Sequence, residues 1–95
     1  MANYRINEDE KADLQRIYRR GVLEFGAAHA DRHFNAFFER FDKLAEQPLQ
    51  YPEVDDIREE YRRSVCGVDS IYYRIVDNTV EIMRILGQQD IDAWL

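Results

Sequence analysis

The sequence predicts an α+β domain in which an N-terminal strand and an antiparallel two-helix hairpin precede a three-stranded antiparallel meander. Apolar residues recur at helical spacing through the first half of the chain, whereas they alternate with polar residues in the second half. A proline-containing acidic connection, "EQPLQYPEVDD", separates the two halves. The chain has 95 residues, of which 45% are apolar and 34% charged, so we assign residues 1–95 to a single domain.

Short signals near the N-terminus mark the first strand and the first helix. The segment "NYRI" predicts a strand over Asn3–Ile6. Asn7 then stands at a helix N-cap position, and Glu10 completes a capping-box pattern. The helix has one apolar stripe, in which the glycine marks a close contact: Leu14, Ile17, Tyr18 and Gly21. Phe25 closes this pattern, and Gly26 suits the helix C-terminus.

A second helix follows directly, and its apolar residues predict the main core. They fall at helical spacing until Pro48 ends the run: Ala27, Ala30, Phe34, Phe37, Phe38, Phe41, Leu44 and Ala45. The phenylalanines are interpreted as core packing and not as a cofactor box, so no cofactor is expected. Two helices joined this tightly predict an antiparallel hairpin.

The second half of the chain has the period of β-strands. "REEYRRSVCG" places on one face Tyr61, Arg63 and Val65. "SIYYRIV" places on one face Ile71, Tyr73 and Ile75, and on the other Tyr72, Arg74 and Val76. The turn signal "DN" leads into "TVEIMRIL", which completes the predicted meander.

Charge and hydropathy disfavour several classes of function. The net charge is −6, from 19 acidic and 13 basic residues, which disfavours a protein whose main task is binding nucleic-acid phosphate. No apolar run approaches the roughly 20 residues of a membrane helix, and the N-terminus lacks the pattern of a secretory signal. We therefore expect a cytoplasmic protein without a membrane partner. The single cysteine, Cys66, fits a reducing compartment and a partly buried strand position.

The two histidines of "HADRH" have a spacing that can bind a metal. His29 and His33 are four residues apart and share one face of the second helix. Because no third ligand is identifiable, the favoured interpretation is a solvated helix flank, and no metal site is predicted. Neither histidine is expected to lie near the sheet.

One cationic concentration on the predicted sheet stands out as a functional candidate: Arg62, Arg63, Arg74 and Arg84. Cleaving an RNA backbone requires a base, an acid and cations over the developing negative charge. The arginines would supply the cations, and the residues available for proton transfer are Tyr72, Tyr73, Glu59 and Glu60. Motifs such as G-x-S-x-G, a P-loop or Cys-x-x-Cys do not occur. We therefore assign no catalytic residue and expect no enzyme.

Five segments, taken in order, resemble the ParE branch of the RelE/ParE toxin superfamily, the toxin halves of bacterial toxin–antitoxin modules. They are "KADLQRIY", "EFGAAHADRHFNAFFERFDKLAEQP", "DDIREEYRR", "IYYRI" and "VEIMRILGQQD". The resemblance implies the same fold and a growth-inhibiting toxin that a ParD-type antitoxin neutralises. ParE members typically poison DNA gyrase, whereas RelE members cut mRNA on the ribosome. Many ParE sequences have a histidine where this chain has Gly87, which further weakens a nuclease interpretation.

The resulting prediction is a bacterial cytoplasmic toxin that inhibits gyrase by binding and stabilises cleaved DNA. The alternatives are a ribosome-dependent mRNA endonuclease and a degenerate module that binds only the antitoxin. The candidates for gyrase or antitoxin contact are Arg62, Arg63, Tyr73, Arg74, Arg84, Gln88, Gln89 and Trp94. The candidates for an antitoxin groove are Leu14, Ile17 and Tyr18. No sequence-specific nucleic-acid binding is expected of the toxin alone.

Arg84 is the most unusual of these residues because it interrupts the apolar strand "VEIMRIL". A charge inside a sheet is costly unless it is paired. Strict alternation places Glu81 on the opposite face, so Glu81 is not the expected partner unless a bulge changes the parity. We expect Arg84 at the rim of the sheet, paired with an acidic neighbour or with the antitoxin.

Overall fold

The computed structural model describes residues 3–56 and 58–87. In these two ranges, six elements follow one another: β1 (Asn3–Ile6), α1 (Glu8–Phe25), α2 (Ala27–Glu46), β2 (Arg62–Cys66), β3 (Asp69–Val76) and β4 (Thr79–Gly87). The strands form one sheet in the order β1-β4-β3-β2, with β1 parallel to β4 and the other neighbours antiparallel. The predicted α+β architecture is confirmed. Within these residues, neither helix is long and apolar enough to cross a membrane.

The N-terminus of α1 has half of the predicted capping box. Asn7 has extended backbone angles, and its side-chain Oδ1 accepts a hydrogen bond from the backbone N–H of Glu10 at 2.9 Å. The reciprocal bond is missing, because the Glu10 side chain is fully buried and neither carboxyl oxygen has a hydrogen-bond partner among the described residues. The first turn therefore contains a buried carboxyl group that the capping pattern did not predict.

One glycine connects the two helices, and another lets them pack closely together. Gly26 has φ +90°, a conformation that side chains rarely adopt, and its N–H donates to Val22 O at the end of α1. A Cβ added at Gly21 would lie 3.3 Å from Ala30 Cβ, which confirms the predicted close contact. Ala27 and Phe25 were expected to continue the apolar faces but are exposed, because both flank the turn and lie outside the helix interface.

The hairpin packs on one face of the sheet and forms the main core. The fully buried residues at its centre are Phe37, Phe41, Leu44, Ile71, Tyr73, Ile82 and Ile85. Cys66 is buried at the end of β2, and burial raises the pKa of its thiol. A smaller cluster lies on the opposite, outer face of the sheet, where Val54 packs on Tyr72 and Leu86. Tyr72 and Tyr73 therefore enter different clusters, as the alternation predicted for β3.

A β-bulge in β4 changes the predicted faces of its polar residues. The register shifts between Tyr72, which is opposite Arg84, and Tyr73, which is opposite Ile82, and this leaves Met83 as the extra residue. Glu81 is opposite Arg74, so Glu81 and Arg84 share the outer face. Strict alternation would place them on opposite faces, but the bulge, the exception named above, inserts one residue and reverses the period-two alternation beyond it.

Candidate functional site

Arg84 pairs with an aspartate from the first helix. Its Nε and Nη2 donate to Asp13 Oδ2 and Oδ1 at 2.7 and 3.1 Å. Asp13 is almost fully buried, and its Oδ2 also accepts the backbone N–H of Ile85 at 3.0 Å. Arg16 donates from Nη2 to the carbonyl oxygen of Ile85 at 3.0 Å. The expected pairing of Arg84 with an acidic neighbour is confirmed.

These contacts close an open edge of the sheet. Strand β1 pairs with β4 only as far as Ile6 and Ile82, and within residues 3–56 and 58–87 no other strand pairs with the later residues of β4 on that side. Helix α1 takes the place of a strand there, because Asp13 accepts from the backbone of Ile85 and Arg16 donates to it. Arg84 neutralises the buried carboxylate that this arrangement requires.

Arg74 is also engaged within the fold. Its Nε donates to Glu81 Oε1 at 2.6 Å, and Arg5 Nε donates to Glu81 Oε2 at 2.9 Å. One carboxylate therefore links three adjacent strands on the outer face. The hydrogen bond from Arg74 is the main cause that lowers the pKa of Glu81 from its usual value, and Arg5 adds to it.

The neighbouring arginines of β2 have different roles. Arg62 is opposite Tyr73 on the hairpin side, and its guanidinium donates to Tyr51 O at 2.6 Å and to Glu53 Oε1 at 3.0 Å. Arg63 is opposite Tyr72 on the outer face, and within residues 3–56 and 58–87 its guanidinium has no hydrogen bond or ion pair. The four arginines therefore do not form the single concentration that was expected, because consecutive strand residues point to opposite faces.

Some of the other contact candidates are inaccessible. Tyr73 is fully buried, donates its hydroxyl to Pro48 O at 2.7 Å, and has its pKa raised by burial to about 12. Tyr73 is therefore a core residue and not a surface contact. Leu14 and Ile17 belong to the core for the same reason, each with 4% exposure. The remaining candidates, Gln88, Gln89 and Trp94, lie outside the described residues.

A cleft of about 530 Å³ lies between the hairpin and the turn that connects β2 to β3. Two of the predicted groove residues, Ile17 and Tyr18, line this cleft. Tyr18 is partly buried, and its hydroxyl donates to Asp31 Oδ1 at 2.7 Å. Gly87, the position that differs from the resembling sequences, also lines the cleft and is opposite Asp69 in the sheet. The cleft therefore joins the end of the sheet to both helices.

A carboxylate with two basic neighbours lies at the wall of this cleft. The side chain of Asp69 is fully buried, and both of its oxygens lie 3.4 Å from Arg20 Nη2. His33 Nε2 lies 3.7 Å from Asp69 Oδ2. The expectation that neither histidine lies near the sheet is wrong for His33, because the start of β3 comes close to α2. His29 instead packs on Phe25, with ring centroids 4.8 Å apart.

No metal centre is present among residues 3–56 and 58–87, where histidine, cysteine and acidic side chains do not gather in groups of three or more. The residues that sequence reasoning missed are Asp13, Arg20 and Asp69. Asp13 had a usable signal, since it occupies the same helix face as Leu14 and Ile17. A polar residue on an apolar stripe indicates a buried partner. The approach of Asp69 to Arg20 has no local signal, because 49 positions separate them.

Two solved structures have the same fold. Over 92% of this chain and 96% of the other, the structure matches a chain of the chromosomal ParDE toxin–antitoxin system of P. aeruginosa, with a TM-score of 0.80 and 20% identity. It also matches a chain of the toxin–antitoxin complex RelBE2 of Mycobacterium tuberculosis, over 92% of this chain and 98% of that one, with a TM-score of 0.56 and 24% identity. The fold of this chain is therefore the one found in these two structures.

Sequence comparison identifies the branch. The chain is 31% identical to "Toxin ParE1" of Caulobacter vibrioides over 93% of this chain and 91% of that protein. It is 25% identical to "Toxin ParE1" of Mycobacterium tuberculosis over 99% and 98% of the two chains. The family model described as the ParE toxin of the type II toxin–antitoxin system parDE matches residues 4–91. The chain belongs to this ParE toxin family.

Proposed function

We propose that this toxin inhibits DNA gyrase by binding to it in the bacterial cytoplasm, stabilises the cleaved-DNA state, and is neutralised by a ParD-type antitoxin. Action by binding is supported by how the arginines of the sheet are used. Arg62, Arg74 and Arg84 are each held by carboxylates or a carbonyl within the fold. Cations committed to structural pairs are poorly available to stabilise the charge of a reacting phosphate.

The antitoxin part of the proposal is supported by the solved structures with this fold, which are toxin–antitoxin assemblies by their own descriptions. It is also supported by apolar side chains that remain exposed at one end of the molecule, with Phe25 63% and Val68 83% exposed. Large apolar side chains grouped at a cleft indicate a protein-binding surface.

The deciding experiment is a supercoiling and cleavage assay with purified gyrase, with and without the antitoxin. We expect supercoiling to fall and linear cleaved DNA to accumulate, and the antitoxin to reverse both effects. Folded protein that leaves both activities of gyrase unchanged would refute the proposal. Normal growth on expression, together with intact antitoxin binding, would instead support a degenerate module that binds only the antitoxin.

Arg63 offers the clearest test of where gyrase is contacted. Its guanidinium has no hydrogen bond or ion pair among the described residues, so Arg63→Ala removes only the packing of a partly buried side chain and is expected to lower the free energy of unfolding by less than about 1 kcal/mol. If Arg63 lies in the interface, gyrase inhibition falls by about tenfold, as expected for one lost charge-assisted hydrogen bond. Titration of gyrase with both proteins measures this, and Arg32→Ala on the exposed side of α2 is the control.

A ribosome-dependent mRNA endonuclease remains the second candidate. The observation that favours it is that Arg63, Arg74 and Arg84 share the outer face with Tyr72. Codon-dependent cleavage of ribosome-bound message that is lost in a folded Arg63→Ala variant would establish this activity in place of gyrase inhibition.

A further inference from the structure

Arg20 contacts its partner at the cleft, Asp69, through one of its three guanidinium nitrogens. Only Nη2 contacts Asp69, at 3.4 Å from each oxygen, whereas Arg84 meets Asp13 with two nitrogens at 2.7 and 3.1 Å. A guanidinium has five N–H donors in a fixed planar fork. In the described part of the chain, Nε and Nη1 of Arg20 have no hydrogen-bond partner. Arg20 therefore has donors to spare at the cleft.

The cleft around Arg20 is lined by apolar side chains together with polar ones, among them Glu24, His29 and His33. Ile17 and Ala30 form buried parts of the wall, and Phe25 and Val68 stand exposed at its rim. The volume of about 530 Å³ is within the range of pockets that take side chains or small ligands. A cation bordered by apolar side chains selects a carboxylate that has an apolar neighbour, because the fork of arginine matches a carboxylate and the rim excludes water.

We propose that this cleft binds a segment of the antitoxin through an Asp or Glu side chain that bonds to Arg20 and an adjacent large apolar side chain that packs between Phe25 and Val68. The inference rests on the proposed neutralisation by an antitoxin and adds the chemistry of recognition. The antitoxin carboxylate accepts from Nη1, so Asp69 keeps its contact with Nη2. His33 Nε2 also remains 3.7 Å from Asp69 Oδ2 in the complex.

The first test compares two arginine variants. The dissociation constant of the cognate antitoxin, purified from the co-expressed pair, is measured against Arg20→Gln and Arg32→Gln. Both changes remove one positive charge, but Arg32 is exposed and does not line the cleft. We expect Arg20→Gln to weaken binding by about 10- to 100-fold and Arg32→Gln by less than about twofold. Equal affinities for the two variants would refute the role of Arg20.

A second pair of variants tests the sign of the partner's charge without risk to the fold. Val68 is 83% exposed in the turn after β2, so Val68→Asp and Val68→Lys disturb no core contact. Both variants lose the apolar contact, but only aspartate repels an acidic partner. We expect Val68→Asp to bind at least about fivefold more weakly than Val68→Lys. The reverse order would refute a carboxylate as the recognised group, even if Arg20→Gln proved too unstable to measure.

The outcomes also separate this inference from the proposed function. Wild-type protein that does not bind the antitoxin would refute the neutralisation itself. Normal binding that is unaffected by Arg20→Gln and by both Val68 variants would refute only the cleft as its site. A dimer of the free protein that dissociates on Val68→Asp would assign the cleft to a second copy of the chain and overturn the proposal.

Discussion

Replacing Asp13 with alanine is expected to lower the free energy of unfolding by about 3 kcal/mol, a large loss for a domain of this size. The carboxylate is almost fully buried and accepts from the side chain of Arg84 and the backbone N–H of Ile85. Its removal leaves the partly buried guanidinium of Arg84 without this counter-charge and the backbone N–H of Ile85 without this acceptor. Urea denaturation followed by circular dichroism measures the change.

Two comparisons show whether the loss comes from this contact. Asp9→Ala removes an exposed carboxylate from the first turn of α1 and is expected to change stability by less than about 0.5 kcal/mol. Arg84→Ala leaves Asp13 with its bond to Ile85 N, so we expect a smaller loss of about 2 kcal/mol. A double-mutant cycle that gives no coupling between Asp13 and Arg84 would contradict the proposed role of the pair.

Glu10→Gln is expected to stabilise the protein, by an amount that grows with pH. Burial, followed by the nearby charge of Asp13, raises the pKa of Glu10 from 4.5 to about 8. The folded state therefore holds a proton that the unfolded chain releases above pH 4.5. The stability that this retained proton contributes is complete below pH 4.5 and is lost as the pH rises to about 8. Glutamine has no proton to lose, so its advantage grows by up to about 1.4 kcal/mol for each pH unit between pH 4.5 and pH 8.

The measurement is the difference in free energy of unfolding between wild type and variant at several pH values from 4.5 to 9. Taking the difference cancels the titration of all other groups. Glu8→Gln is the matched control, because that carboxylate is in the same helical turn and its side chain is 93% exposed. A constant difference between wild type and Glu10→Gln across this range would show that the folded protein does not hold a proton on Glu10.

The elements of the fold were predictable because their signals are local. Asn7 accepts from the backbone N–H of Glu10 as a helix N-cap, and Gly26 provides the left-handed conformation that lets α2 begin at once. Phe37, Phe41 and Leu44 enter the core because a period of 3.6 residues places them on one helix face. Each of these inferences depends on residues within one or two turns of each other.

The candidate site was only partly predictable, because its contacts join distant parts of the chain. Four arginines were recognised as unusual, but their separate roles depend on partners that the sequence does not identify. Arg84 meets Asp13 across 71 positions, and Arg74 shares Glu81 with Arg5 on the first strand. The bulge at Met83 is likewise a property of the paired strands and not of β4 alone.

The sequence by itself determined the order and type of the elements, the composition of the main core and the resemblance to ParE toxins. Periodicity and turn chemistry act over a few residues, and they are sufficient for these conclusions. Only the tertiary structure decided that α1 closes the open edge of β4 through Asp13 and that Arg20, His33 and Asp69 meet at one cleft. Burial and electrostatics depend on neighbours in space, so the contact of Arg20 with Asp69 and the raised pKa of Glu10 become evident only after the chain has folded.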